Sequence, residues 1–348
     1  MESLVAKQAY QKVTILNDKA VRAISTPTTD EHADPIDRRS IPALAQESLW
    51  QTPDGTDVRR IDWPGCGDER RGSILFLPGR GDFYEKYLET LEEWHRKGWR
   101  VTACDWRGQA GSGRLGNDAT TGHIDDFDIW ISDLANFWSD WVKTAPAPHV
   151  LVSHSMGGQI VMRALIERKL LPDAVIFSAP MLGINGPPLP MAALHAAARA
   201  MTIIGDARRP AWKWSEKPGE MPADRRNLLT HDAERYADEL WWREHRPELV
   251  MGPGSWGWVE RAYASVRAIE AKGAMESVET PILILSTRTD ELISHAAVLR
   301  AADRLPNAEL LAFGKEAHHE ILRETPPVRS KAMSAIDDFL DRVAPALR

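Results

Sequence analysis

Short apolar runs alternate with stretches of helical periodicity along most of the chain. Gly72-Ser-Ile-Leu-Phe-Leu-Pro78 is apolar almost throughout and bounded by turn formers, which predicts a buried strand. From Phe83 to Gly98 the positions Tyr84, Tyr87, Leu88, Leu91 and Trp94 share one face of a helix that stops at a glycine. The same patterns recur, with strands expected over 100–105, 149–153, 174–178, 281–286 and 308–313. Helices are expected over 124–143, 156–169 and from about Pro327 to Val343. Strand alternating with helix predicts an α/β fold, a mostly parallel sheet with helices on both faces. Two earlier runs, near Leu49 and from Arg59 to Trp63, predict a leading antiparallel hairpin around Pro53-Asp-Gly55.

The alternation breaks between Pro180 and Thr280. That stretch holds helical patterns, prolines and six tryptophans: Trp212, Trp214, Trp241, Trp242, Trp256 and Trp258. Ligands bind at the carboxyl ends of parallel strands, so a helical insertion emerging there would cap a site. The tryptophans could equally fill a core of the insertion's own. The expected organisation is an N-terminal extension over 1–45, with a helical pattern around 4–24. A core over 46–180 and 275–348 and a helical cap over 181–274 follow.

Composition narrows the function classes. With 348 residues, 43% hydrophobic and 27% charged, the chain reads as soluble and globular. Its net charge of −7 offers no positive field for nucleic-acid phosphates. Two cysteines, Cys66 and Cys104, exclude a disulfide scaffold and a four-thiolate zinc site. The first thirty residues lack the apolar core of a signal peptide. The longest uncharged run, 174–198, is broken by Pro180, Pro187, Pro188 and Pro190 and cannot be a membrane helix. A cytoplasmic protein is expected, with transient contact to a membrane surface left open.

The sharpest chemical feature is Ser153-His-Ser-Met-Gly157, where an apolar strand meets a helix. A tight strand-to-helix turn holds a serine hydroxyl clear of the sheet and requires small residues two before and two after it. Ser153 and Gly157 meet that need around Ser155, although the strict motif begins with glycine. Ser255, in Gly254-Ser-Trp-Gly257, is the nearest decoy and follows no strand. A serine nucleophile needs a histidine base and a carboxylate to orient it, in the chain order Ser, acid, His on this kind of sheet. Asp290 follows one predicted strand, and His318 and His319 follow the last; spacing leaves open which histidine is the base. The amides of Met156 and of Arg80, in Pro78-Gly-Arg-Gly81, are placed to receive an oxyanion. His154 is expected to be structural, its side chain pointing away from that of Ser155. The Arg80-Gly-Asp82 tripeptide reads as loop geometry rather than an adhesion signal. The glycines of 108–113 lack phosphate-binding spacing, and His123, His195, His231 and His245 lack metal-ligand spacing, so neither metal nor cofactor is expected.

Several of these stretches carry a family resemblance. Leu75-Phe-Leu-Pro-Gly-Arg-Gly-Asp82, Asp105-Trp-Arg-Gly-Gln109 with Gly111-Ser-Gly-Arg114, and His154-Ser-Met-Gly-Gly158 resemble the monoacylglycerol lipase and lysophospholipase group of α/β-hydrolases. Gly252-Pro-Gly-Ser-Trp-Gly-Trp258 is similar to a cap segment of the bacterial lysophospholipase branch, and Ala317-His-His-Glu-Ile-Leu-Arg-Glu324 to its C-terminal signature. The resemblance implies Ser155 as nucleophile, Asp290 as acid and His319 as base, because the family histidine directly precedes a glutamate, here Glu320. It also implies an oxyanion hole from Arg80 and Met156, substrate contacts from Trp256 and Trp258, and a small-molecule acyl ester as partner. The expected function is cleavage of monoacyl lipid esters. The alternatives are a general carboxylesterase, lactonase or amidase, and a non-catalytic binding protein on the same fold. Oligomeric state is not assigned.

Overall fold

The structure is a computed structural model that describes residues 14–15, 35–64, 71–213 and 223–346. Its described strands, in chain order, are β1 (Thr14–Ile15), β2 (Gln46–Gln51), β3 (Asp57–Trp63), β4 (Ser73–Leu77), β5 (Arg100–Cys104), β6 (His149–His154), β7 (Ala174–Ser178), β8 (Ile282–Thr287) and β9 (Ala308–Phe313). They form one sheet in the order β1-β9-β8-β7-β6-β4-β5-β3-β2. The β2–β3 and β3–β5 pairs are antiparallel, and the pairs from β5 through to β1 are parallel. This is the α/β-hydrolase fold, with the leading hairpin turning at Gly55 in the left-handed region, φ 87°.

The strands are apolar on both faces because both faces are covered. Alternate residues point to opposite sides, so Ile74 and Phe76 of β4 join one core while Leu75 and Leu77 join the other. β6 divides in the same way, Val150 and Val152 against Leu151. One side is covered by α1 (Leu88–Arg96) and, from the C-terminus, by the helix Pro326–Val343 through Ile336, Phe339 and Leu340. The other is covered by α2 (Phe127–Trp141) and α3 (Met156–Ile166), with Trp130, Leu134 and Ile160 facing the strands.

Between β7 and β8 lie α4 (Met191–Ile203), α5 (Ala223–Leu229), α6 (Ala233–His245) and α7 (Trp256–Ile269). Among the described residues this stretch contributes no strand to the sheet, only isolated bridges such as Ile184 to Ile293 and Gly254 to Gly122. The helix α8 (His295–Arg304) and the C-terminal helix, α9, complete the chain.

Two local expectations need correction. The helix expected from Phe83 begins as a 3-10 turn over Tyr84–Tyr87, because Phe83 is extended and no side chain caps the start. The helical pattern around 4–24 lies outside the described residues except at Thr14–Ile15. There the backbone is extended and pairs parallel with β9 (Thr14 with Glu309, Ile15 with Leu310), since an open sheet edge offers unpaired backbone groups. Among the described residues no helix is long and apolar enough to cross a membrane.

Candidate active site

Ser155 stands between β6 and α3 with φ 49° and ψ −116°, a conformation L-residues adopt at a cost. Its neighbours hold it there: the Ser155 amide donates to Ser178 O (3.1 Å), and the Met181 amide donates to Ser155 O (2.9 Å). A Cβ at Gly157 would lie 2.6 Å from Pro78 O, so only glycine lets α3 start this close to β4. Ser153 is fully buried in the sheet at the other small position.

The structure brings three predicted residues into one line. His319 Nε2 lies 3.0 Å from Ser155 Oγ, and His319 Nδ1 lies 2.7 Å from Asp290 Oδ2. The other carboxylate oxygen, Asp290 Oδ1, accepts the amides of Leu292 (2.9 Å) and Ile293 (3.0 Å). Asn185 Nδ2, from the segment after β7, donates to the carbonyls of Asp290 and Ile293, both at 2.9 Å, and so ties down the Asp290 loop. Burial alone would raise the Asp290 carboxyl, but the charge and hydrogen bond of His319, with the two amides, hold it below its ordinary value. For His319 burial works against protonation, and the Asp290 charge and hydrogen bond, joined by Glu320 and Asp82, outweigh it and raise the imidazole. His318 is directed elsewhere, its ring stacked on that of His231 at 3.8 Å.

Met156 is the first residue of α3, so its amide has no acceptor within the helix. The Arg80 loop is pinned on both sides: the Gly79 amide donates to Asp82 Oδ2 (3.1 Å), the Gly81 amide to Gln109 Oε1 (2.8 Å). Trp106 Nε1 donates to Pro78 O (2.7 Å) at the loop's start. Asp82, Trp106 and Gln109 were not singled out from the sequence; all lie in the two glycine-containing stretches that carry the family resemblance, which is the signal that could have drawn attention to them. His154 departs from expectation. Its ring does not turn away but stands edge-on to that of His319 at 4.8 Å, because the neighbouring Ser178 carbonyl holds Nδ1 at 3.2 Å. Burial, with the adjacent charge of His319, lowers its pKa to about 4 and keeps it neutral.

Ser155 and His319 open into a cavity of about 830 Å³. Its walls include Leu194 and Ala198 of α4, and Trp212, Trp256, Trp258 and Val259. The cap-region tryptophans therefore split. Trp212, Trp256 and Trp258 line the cavity, whereas Trp242, buried, and Trp241 pack against the core around α1 and α9. Trp214 lies outside the described residues. The Arg80 guanidinium sits between two of the lining rings, 5.1 Å from Trp212 and 5.0 Å from Trp258, as cation–π contacts require.

Comparison with known proteins places the chain in a family. The Hydrolase_4 family model, described as serine aminopeptidase, S33, matches residues 68–326. The chain is 31% identical over 284 residues to Lysophospholipase L2 of Escherichia coli strain K12, covering 77% of this chain and 80% of that one. A soluble variant of monoglyceride lipase from Saccharomyces cerevisiae, solved with a substrate analogue, superposes with a TM-score of 0.67 at 16% identity, over 88% of this chain and 99% of that one. The monoacylglycerol lipase of Paleococcus ferrophilus superposes with a TM-score of 0.60 at 21% identity, over 81% and 98%.

Proposed function

The chain belongs to the Hydrolase_4 family of α/β-hydrolases and is a serine ester hydrolase, and from that premise we propose that it cleaves the ester of monoacyl lipids through an acyl-enzyme on Ser155. The observation that carries the reading is the Ser155–His319–Asp290 line opening into an apolar-walled cavity. In this mechanism His319 Nε2 takes the proton of Ser155 Oγ as the oxygen attacks the ester carbonyl carbon. The carbonyl oxygen gains the charge and is received by the amides of Met156 and Arg80, each such donor contributing about 10²–10³ in rate. His319 then gives its proton to the departing alcohol, and water, deprotonated by the same nitrogen, releases the fatty acid. Asp290 keeps the Nδ1 proton in place and stabilises the imidazolium.

The substrate class rests on the cavity and on the relatives. Its volume falls inside the range of roughly 300–1,000 Å³ typical of small-ligand sites, and a single acyl chain suits the walls from α4 and α7. The stretch over α4–α7 serves as the cap. Leu189, Ile203, Ile204 and Trp212 expose large apolar surfaces around α4, whose inner side lines the cavity, and this rim supports transient contact with a lipid surface.

Fluorophosphonate labelling of wild type and Ser155→Ala, followed by a chain-length panel of monoacyl esters, tests the reading. Labelling lost in the variant, with an optimum at long chains, is expected. A short-chain or aryl optimum would make the protein a general esterase, and an unlabelled, folded wild type would remove the mechanism altogether.

A further inference from the structure

Beside the triad lies a cluster of buried charges that the mechanism above leaves unused. Lys86, in the 3-10 turn before α1, has no exposed side-chain surface. Its Nζ lies 2.5 Å from Asp82 Oδ1, 2.5 Å from Glu320 Oε1 and 3.1 Å from Glu239 Oε2. The ammonium donates to Asp82 and Glu320, and Glu239 completes its surroundings as a third, ion-paired carboxylate. Burial opposes its charge, but the three carboxylates outweigh burial and hold Lys86 protonated. Asp82, His154 and Glu320 offer atoms within 4.8 Å of one another, the spacing of a cation site, and the Lys86 ammonium takes the cation's place between the two carboxylates.

The three carboxylates come from three parts of the site. Asp82 holds the Gly79 amide and thereby the loop of Arg80; Tyr87 also donates to it, at 3.1 Å. Glu320 directly follows His319. Glu239 sits within α6, where its second oxygen faces Arg243 at 2.8 Å and Arg225 at 3.8 Å. Arg323 closes the cluster, lying 2.9 Å from Glu239 Oε2 and pairing with Glu320 Oε2. Buried ion clusters are a weak source of stability, because each charge gives up its hydration. What one ammonium with three fixed partners supplies is geometry.

We propose that Lys86 is a positioning residue of the hydrolytic site, tying the Arg80 loop, the His319 loop and helix α6 to one point, so that docking of α6 sets the placement of base and oxyanion donor. This rests on the triad reading above. The charged and titratable groups facing His319 are Asp290, His154, Glu320 and Asp82, with Lys86 and Arg323 behind the last two. Glu320 and Asp82 favour the imidazolium, so neutralising Glu320 must lower the base's pKa and move the acid limb of kcat/KM to lower pH.

The test uses the full-length protein with p-nitrophenyl butyrate and a fluorophosphonate probe, and checks folding by circular dichroism. Glu239→Gln, outside the cavity lining, should lower kcat about tenfold with KM within about threefold, and Lys86→Met should lower it about 10²-fold, as small misplacements of catalytic groups do. Glu320→Gln should move the acid limb down by a few tenths of a pH unit. Folded Glu239→Gln and Glu320→Gln proteins with wild-type kcat and a wild-type acid limb would overturn the proposal, whether or not Lys86→Met folds. Failure of the triad reading looks different: the probe would miss the wild type, or would still label Ser155→Ala.

Discussion

Two serine–histidine–aspartate arrays occur among the described residues, and only the one proposed above as catalytic has the surroundings a reaction needs. In the first, Ser155 Oγ, His319 and Asp290 are joined at 3.0 and 2.7 Å. In the second, Ser255 Oγ lies 2.7 Å from His123 Nδ1, and His123 Nε2 lies 2.9 Å from Asp125 Oδ1. Residue types match and the distances are similar, but the two ring nitrogens exchange roles, and the surroundings differ. Ser255 has an ordinary extended backbone, φ −75°, and its hydroxyl is sealed from solvent while accepting the Trp258 amide as the N-cap of α7. Ser155 has a strained backbone, partial exposure and a helix amide beside it. The carboxylates differ in the opposite sense. Asp290 is buried and held by two amides, whereas the Asp125 side chain is 73% exposed. A nucleophile is thus defined by what its oxygen is prevented from doing otherwise, and by where an oxyanion could sit.

Matched substitutions in the two arrays would break this comparison most directly. Ser155→Ala should lower kcat by roughly 10⁴-fold or more without unfolding the protein, and His319→Ala should match it, because the members of such a unit are not additive. His318→Ala, one residue away but stacked on His231, should stay within a few-fold of wild type in the same ester assay. Equal losses at both histidines would mean that His318 shares the base's role. Asp290→Asn should cost about 10⁴ in kcat by presenting the wrong tautomer. It should also lower the acid limb. The base must be neutral to act, Asp290 raises its pKa, and the limb therefore moves down when that charge is removed. Asp125→Asn, on an exposed side chain, should leave both rate and pH profile unchanged.

The parts of this picture legible from sequence were those written in contiguous residues. Unbroken apolar runs such as Ile74-Leu-Phe-Leu77 mark strands buried on both faces, and the Ser153–Gly157 turn marks Ser155, because the turn's steric demands fall on immediate neighbours. Contacts between distant segments left no such trace, apart from Asp290 and His319, which strand ends, chain order and the family resemblance located. Lys86 and Glu320 are 234 positions apart, and nothing in the local pattern of either distinguishes a buried ion from a solvated one, since charged residues default to the surface. The same holds for His154, whose ring direction is decided by the Ser178 carbonyl of the neighbouring strand. The tryptophans between β7 and β8 look alike in sequence, yet Trp258 packs in the core beside α2 and also lines the cavity, while Trp242 packs only in the core on the other face of the sheet, because the helices that carry them dock on different elements.

A small effect on rate is also expected at Ser255, and it sharpens the comparison most. Ser255→Ala removes the acceptor of the Trp258 amide and the hydroxyl partner of His123 Nδ1. Loss of a helix N-cap costs about 1–2 kcal/mol, which thermal unfolding would register as a drop of a few degrees in Tm. Catalysis should change by less than about twofold, because no oxyanion site faces that oxygen. The control is demanding, since Ser255 begins the helix whose Trp258 ring lies beneath the Arg80 guanidinium and lines the cavity. A folded Ser255→Ala protein with a tenfold loss in kcat/KM would show that the start of α7 sets the cavity wall or the Arg80 loop. Lost stability with activity retained would leave the second array as a cap and nothing more.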